Sequence, residues 1–231
     1  MIESLEHSVY FGVFLSLGTY AIGLVLKKKL RSPICNPLLI SVLLTVLTLL
    51  ALDIDYDTYY DGAKYISYLL TPATVCLAVP LYRQLTLLKN NWRAILAGIT
   101  CGVLSSLGCV LILSMVLGLD HQMYVTLLPK SITTAIAMGI SEEMGGLTTI
   151  TVAVIIVTGI LGAVIAEGVC KLFHIDEPIA KGTAIGTSAH AMGTSKALEM
   201  GEIEGAMSSL SIAVAGVLTA VLCPVFVNLI D

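Results

Sequence analysis

Residues 94–119 read AILAGITCGVLSSLGCVLILSMVLGL, an unbroken run without Asp, Glu, Lys or Arg. Wound as an α-helix at about 1.5 Å per residue, this run is longer than the roughly 30 Å hydrocarbon core of a bilayer. Five more charge-free runs lie at 8–26, 32–52, 65–82, 144–166 and 205–230. Each is about a membrane thickness long. Two other stretches, 121–141 and 182–195, are weakly apolar, rich in Gly, Ser and Thr, and interrupted or short. They read badly as ordinary lipid-facing helices.

Composition supports the same reading. The chain has 231 residues, 57% hydrophobic and only 12% charged, with mean hydropathy +0.95. A soluble domain carries about 25% charged residues, so 12 Lys and Arg with 16 Asp and Glu are too few to keep a globule wet. Aromatics, at 6%, are too sparse for the interfacial girdles of a β-barrel. The fold class is an all-α polytopic integral membrane protein. Net charge is −4, with no basic tract beyond Lys27-Lys28-Lys29-Leu30-Arg31, so no nucleic-acid partner is expected. The six cysteines (Cys35, Cys76, Cys101, Cys109, Cys170, Cys223) contain no CxxC and read as small buried hydrophobes. The basic cluster follows the first apolar run and no small-residue cleavage site is apparent. The first helix is therefore expected to persist in the mature protein.

Lys and Arg in short loops predict orientation. The cluster at 27–31 places the end of the first helix in the cytoplasm and the N-terminus outside. Asp53, Asp55, Asp57 and Asp61 then fall outside, the Lys89-to-Arg93 loop inside, and Asp120 with His121 outside. If 121–141 is re-entrant, the Ser141-to-Met144 and Lys171-to-Lys181 loops fall where the rule prefers. This predicts about seven transmembrane helices plus a re-entrant or broken segment, with the C-terminus cytoplasmic. The whole chain, 1–231, is read as a single transmembrane domain, with 8–26 as its first helix. Residues 36–118 and 147–230 each read apolar helix, interrupted segment, apolar helix, entering from opposite sides. Inverted repeats with discontinuous helices are a recurring plan of secondary transporters.

The interrupted stretches hold the candidate chemistry. Eight of the fourteen residues 182–195 are Gly, Ser or Thr, with His190 central and Lys196 just after. Non-helical backbone at membrane depth is tolerated only where protein or water satisfies it. Glycines permit the break, and Thr187, Ser188, His190 and Thr194 can then face a solute. The competing reading is a small-residue helix packed on a neighbour. Pro129-Lys130-Ser131-Ile132-Thr133-Thr134 forms a second cluster. Pro129 suits a helix start, and Lys130, Ser131, Thr133 and Thr134 put a cation beside hydroxyls. Lys130 could equally snorkel to the interface. A third group comprises Asn36-Pro37 and Thr71-Pro72 with Pro80, Tyr82 and Arg83. Its prolines read equally as kinks, and Arg83 as a cytoplasmic anchor. Glu204 either lines the cavity with Ser208 and Ser209 or sits in a wet loop with Glu202. The Gly98-to-Gly102 spacing reads as helix packing. There is no Walker A, dinucleotide fingerprint, metal-ligand spacing or nucleophile–base pair, so neither an enzyme nor a metal or organic cofactor is expected.

Four motifs in order carry a resemblance: Asn36-Pro37-Leu38-Leu39, Leu70-Thr71-Pro72-Ala73-Thr74-Val75 through Val79-Pro80-Leu81-Tyr82, Leu128-Pro129-Lys130-Ser131-Ile132-Thr133-Thr134, and Ser188-Ala189-His190-Ala191-Met192-Gly193-Thr194. Together they resemble the LrgB/CidB family over nearly the whole chain from about residue 8, although Ala135 stands where the family often has Pro. The resemblance implies a bacterial inner-membrane protein, antiholin-like or a regulator of murein hydrolases, paired with a small LrgA/CidA-like membrane protein. It also implies carriage of small acids, since relatives of the fused pair in plastids carry glycolate and glycerate and bacterial pairs are tied to pyruvate.

The residues favour transport. A holin-like lesion needs little beyond membrane helices, whereas polar breaks in a bilayer are costly and are expected where a solute or ion is handled. The expected function is a secondary transporter or exporter of small hydroxy- or keto-monocarboxylates such as pyruvate, glycolate or lactate. Proton or sodium coupling is left open, with His190 the candidate proton carrier because its unperturbed pKa of about 6.5 lies in the working range. The partners expected are the small LrgA/CidA-like protein, the carboxylate and the lipid bilayer; homo-oligomerisation is left open. The alternatives are a holin/antiholin-like regulator of autolysis, or a non-transporting scaffold for an LrgA-like pore.

Overall fold

A computed structural model describes residues 10–30 and 36–229. Residues 8–9 of the first expected span, Arg31 of the basic cluster, residues 32–35 including Cys35, and residues 230–231 lie outside the described residues. Every regular element among the described residues is an α-helix. Five helical runs are long and apolar enough to cross a membrane: Phe11–Leu30, Tyr56–Arg83, Leu85–Leu117, Thr148–Leu172 and Glu202–Val227. The apolar helix Pro37–Leu52 is shorter. The protein is an all-α polytopic membrane protein. Its contacts divide it between Cys76 and Leu77 into two compact units, where the sequence suggests one domain.

The first unit holds α1 (Phe11–Leu30), α2 (Pro37–Leu52), α3 (Tyr56–Ser67) and α4 (Leu70–Cys76). Asn36 starts α2, its side-chain oxygen accepting from the Leu38 N–H at 2.9 Å, with Pro37 next. That is an Asn cap followed by a proline whose missing N–H costs nothing there. Asp53 ends α2 in the left-handed conformation (φ 53°), which Asp tolerates better than most residues. Glycines bring α1 close to its neighbours: Gly12 lies on the backbone of Tyr59–Ala63 and Gly23 on that of Pro37. Thr19 of α1 then bonds the Ser41 and Thr45 hydroxyls of α2 at 2.9 and 3.1 Å. Thr71 of α4 is exposed.

The second unit holds α5 (Ala78–Arg83), α6 (Leu85–Leu117), α7 (His121–Leu127), α8 (Thr134–Glu143), α9 (Thr148–Leu172), α10 (Pro178–Met200) and α11 (Glu202–Val227). Ile95, Ile99, Val103, Leu107 and Val110 of α6 are buried, a helical stripe that packs on Tyr124, Leu128, Met207, Ala215 and Cys223. On other faces Ile112 and Val116 of α6, and Val217 and Val221 of α11, are exposed. Apolar exposure on that scale suits a lipid environment. Lys89 and Arg93, expected in a loop, lie within α6, and Lys27–Lys29 form the last turn of α1. Long basic side chains are good helix formers and reach the interface from a helix end.

Both interrupted stretches are broken. Residues 121–141 form two short helices, α7 and α8, with residues 128–133 non-helical between them, and neither helix is long enough to span a bilayer. In α10 the break falls at Ala189 (φ −125°, ψ 16°) and His190 (φ 40°, ψ −138°). Gly182 and Gly186 of α10 do something else. A Cβ on Gly182 would strike the Glu204 backbone and Met207, and one on Gly186 would strike the Ser208 backbone. These glycines let α10 and α11 touch.

Gly186→Ala should therefore force α10 and α11 apart, costing about 1–3 kcal/mol as overpacking does. Gly168→Ala, with nothing within 4 Å of its added Cβ, should be neutral or slightly stabilising. Thermal unfolding of the two variants in detergent checks this; equal midpoints would refute the contact. Within the second unit, the loop-charge reading expects cysteines placed at Lys89 and Asp176 to label from one side of intact cells and at Asp120 from the other.

Candidate functional site

A cleft of about 900 Å³ opens in the second unit. Its walls are α6 from Asn91 to Cys109, α9 from Thr158 to Cys170, and α10 from Ile179 to Ser188, with Lys130 and Ser131 also lining it. Small residues build it. Gly98 of α6 lies against the Thr183 methyl, and Gly102 one turn later lies against Thr187, so close that a Cβ there would be 2.7 Å from the Thr187 methyl. The next turn of α6 presents Ser106 to the 128–133 break.

There the polar groups converge. The Lys130 ammonium donates to Ser131 Oγ at 3.0 Å and to Ser106 Oγ at 3.5 Å. The two hydroxyls bond each other at 2.9 Å. Behind them lies a void of about 10 Å³ bordered by Ser106, Ser131, Thr187 and Thr219, about the size that admits one water. The break holds Lys130 in place through turns: its N–H bonds the Leu127 carbonyl at 3.2 Å, and the Ile132 N–H bonds that of Pro129 at 3.4 Å. Tyr124 OH anchors α7 to the Phe226 carbonyl at the end of α11, at 2.8 Å.

Lys130 has no carboxylate partner among the described residues, and the other candidate cations do. Lys196 pairs with Glu167 at 2.6 Å and Glu199 at 3.5 Å, tying α10 to α9. Arg83 reaches Glu202 at 3.8 Å, from α5 to α11. A lysine held by two hydroxyls at the edge of an apolar cleft can take an anion: it offers donors, and no carboxylate among the described residues pairs with it.

His190 does not line the cleft. Its ring is buried against Gly159, and its Nε2–H donates to the Ile155 carbonyl of α9 at 3.0 Å. Gly159 is the residue whose amide that carbonyl would meet one turn on, and its lack of a side chain makes room for the ring. The positive φ at His190 costs a non-glycine residue about 1–3 kcal/mol, and the ring's bond and burial offset it. Thr194 bonds the His190 carbonyl at 3.1 Å and Ser208 Oγ at 2.7 Å, away from the cleft. Thr187 and Ser188 do line it, each with its hydroxyl on a carbonyl one turn back. Thr133 precedes α8 as its N-cap residue and Thr134 begins it; neither is among the cleft residues. Asn36 is a helix cap in the first unit. Glu204 folds over Gly201 and presses its backbone on Gly182, at the joint between α10 and α11.

A family model, the LrgB-like family, matches residues 16–229. The chain belongs to the LrgB-like family. It is similar to the antiholin-like protein LrgB of Bacillus mycoides (strain KBAB4) and of Bacillus cereus (strain B4264), at 38% identity over 96% of this chain and 96% of each relative. The same identity and coverage relate it to the antiholin-like protein LrgB of Bacillus anthracis (strain CDC 684 / NRRL 3495). No solved structure matches it.

Two cleft residues of this LrgB-like chain escape a reading of motifs alone. Ser106 sits in the longest apolar run, yet it follows Gly98 and Gly102 at four-residue steps and so shares their face. Thr183 is buried and lines the cleft with its hydroxyl unpartnered among the described residues, unlike most helical hydroxyls here; burial hides it from any sequence pattern. Among the described residues no three His, Cys, Asp or Glu side chains converge to hold a metal ion.

His190→Ala removes a buried ring and the bond to Ile155, and should cost about 2–4 kcal/mol of stability. If Lys130 holds a carboxylate, the affinity for it should change little in the surviving folded fraction. Thermal unfolding and ligand titration on one preparation separate the two effects.

Proposed function

We propose that this protein is a secondary carrier of small hydroxy- or keto-monocarboxylates, of the size of pyruvate, glycolate or lactate, working with a small LrgA/CidA-like membrane subunit. The observation that carries the reading is Lys130: a lysine with no carboxylate partner among the described residues, held by the Ser106 and Ser131 hydroxyls and open to a cleft of about 900 Å³. A carboxylate placed on it would satisfy the charge, and the hydroxyls would discriminate oxygen-bearing acids from plain alkanoates, because a polar site rejects ligands that leave it unpaired. The broken α10 and the split α7–α8 support the proposal, since discontinuous helices are how carriers place polar groups at membrane depth. The inverted repeat of 36–118 on 147–230, with the N-terminus outside and the C-terminus cytoplasmic in a bacterial inner membrane, belongs to the same proposal.

The antiholin-like names of the relatives favour a second reading, an antiholin-like regulator, whether of murein hydrolase export or as a scaffold for an LrgA-like pore. In that case Lys130 would matter to assembly alone.

Uptake of labelled pyruvate, glycolate and lactate into vesicles holding the chain, with and without the small subunit, tests the proposal. Lys130→Met should reduce uptake of every carboxylate by about tenfold or more, the loss expected for a charge-assisted hydrogen bond. Wild-type uptake by a normally inserted Lys130→Met protein would reject the carrier reading in favour of the scaffold.

A further inference from the structure

We infer that Lys130 is also the coupling site: it takes up one proton with each carboxylate and gives up both together. This rests on the carrier reading above and adds the coupling ion to it.

Among the described residues no carboxylate pairs with the lysine. Its partners, Ser106 and Ser131, are hydroxyls that bond each other and neutralise nothing. The other titratable groups lining the cleft are Cys109 on α6, Cys170 on α9 and Glu177 just before α10, and Glu177 makes no ion pair with it. Glu167 on α9 and Lys196 on α10 are engaged with one another. His190, also on α10, points its Nε2–H at the Ile155 carbonyl. From α11 the void behind the site receives Thr219, a neutral hydroxyl.

An ammonium in such surroundings is costly to hold, because the cleft wall gives back little of the hydration it loses. Lysine, unlike arginine, can shed that cost by releasing its proton. On this inference the empty site gives up that proton, and a carboxylate arriving with one restores the ammonium that the carrier reading uses: Lys130–NH₂ + H⁺ + RCOO⁻ gives Lys130–NH₃⁺···⁻OOCR. One N–H bond forms, no bond in the solute breaks, and the loaded site carries the same net charge as the empty one. A site of unchanged charge can move through, or be exposed across, a bilayer without working against the membrane potential.

The test is calorimetric titration of the purified full-length chain with pyruvate, in two buffers of different ionisation enthalpy, between about pH 6 and pH 9. Wild type should take up about one proton per pyruvate in the upper part of that range. Lys130→Arg, permanently charged, should bind pyruvate with no proton uptake, and His190→Gln should keep the wild-type uptake. Binding by wild type with no proton uptake anywhere in the range would overturn the inference and leave the carrier reading standing. So would unchanged uptake in Lys130→Arg, or its loss in His190→Gln. Absence of any pyruvate, lactate or glycolate binding by wild type, both alone and with the small subunit, would instead remove the carrier reading, and this inference with it. Should Lys130→Arg not fold, wild-type vesicles decide: pyruvate uptake driven by a proton gradient and indifferent to membrane potential supports the coupling, and potential-driven uptake overturns it.

Discussion

The close approach of α10 to three neighbours is the contact on which the second unit depends. A helix so rich in Gly, Ser and Thr offers little to lipid and must be enclosed by protein. Glycines on both sides of the contacts allow it: Gly182 and Gly186 of α10 meet α11, Gly98 and Gly102 of α6 receive Thr183 and Thr187, and Gly159 and Gly162 of α9 receive His190 and Ala189. The cleft is a consequence. Side chains this small, on three helices this close, leave open volume on the face where α6, α9 and α10 diverge. The same register sets Ser106 one turn beyond Gly102, over the lysine.

Hydrocarbon cannot hydrogen-bond, so the hydroxyls must find partners inside the protein. Ser16, Thr48, Thr100, Thr187, Ser188, Ser209 and Ser211 each donate to a carbonyl one turn back on their own helix. Where the chain turns between α7, α8 and α9, Thr126, Ser141 and Thr151 close a buried network. Ser141 and Thr151 meet at 2.7 Å, Thr151 reaches the Thr126 carbonyl at 3.0 Å, and Thr126 Oγ1 accepts from the Leu147 N–H at 2.8 Å. That network is complete, and so it is architecture. At the cleft, Lys130 is left without a carboxylate partner among the described residues, while the unpartnered Thr183 hydroxyl is buried.

Much of this was legible in the residues, for reasons that also explain the rest. Charge-free runs of membrane length report lipid exposure directly, so the helical membrane class and most spans follow from them. Their ends do not follow: lysine is at home in a terminal helical turn, which is why α1 runs through Lys27–Lys29 and α6 begins before Lys89. The break in 182–195 was legible as a scarcity of apolar residues, but its place was not. Glycine marks both backbone freedom and close packing, and here packing claimed Gly182 and Gly186 while the backbone turned at Ala189 and His190. His190 looked like a solute ligand because polar rings are rare in such segments. Its carbonyl partner on α9 is thirty-five residues away, and no local pattern discloses a contact of that range.

The three cations that stood out in the sequence separate on a physical ground once their partners are known. Arg83 and Lys196 sit beside carboxylates, and both join helices: α5 to α11, and α10 to α9. Removing either partner would leave a charge to be rehydrated at an exposed or half-exposed place, a modest loss for pairs of this kind. Lys130 is held more deeply, by donors and acceptors that carry no charge, at a break in the backbone that already costs hydrogen bonds. A structural lysine would be cheaper as methionine or leucine in that position, since an apolar side chain of similar volume would fill the space without a charge to satisfy. On the carrier reading what the lysine offers there is its capacity for charge, and an anion that enters the cleft, and leaves it again, would act on it.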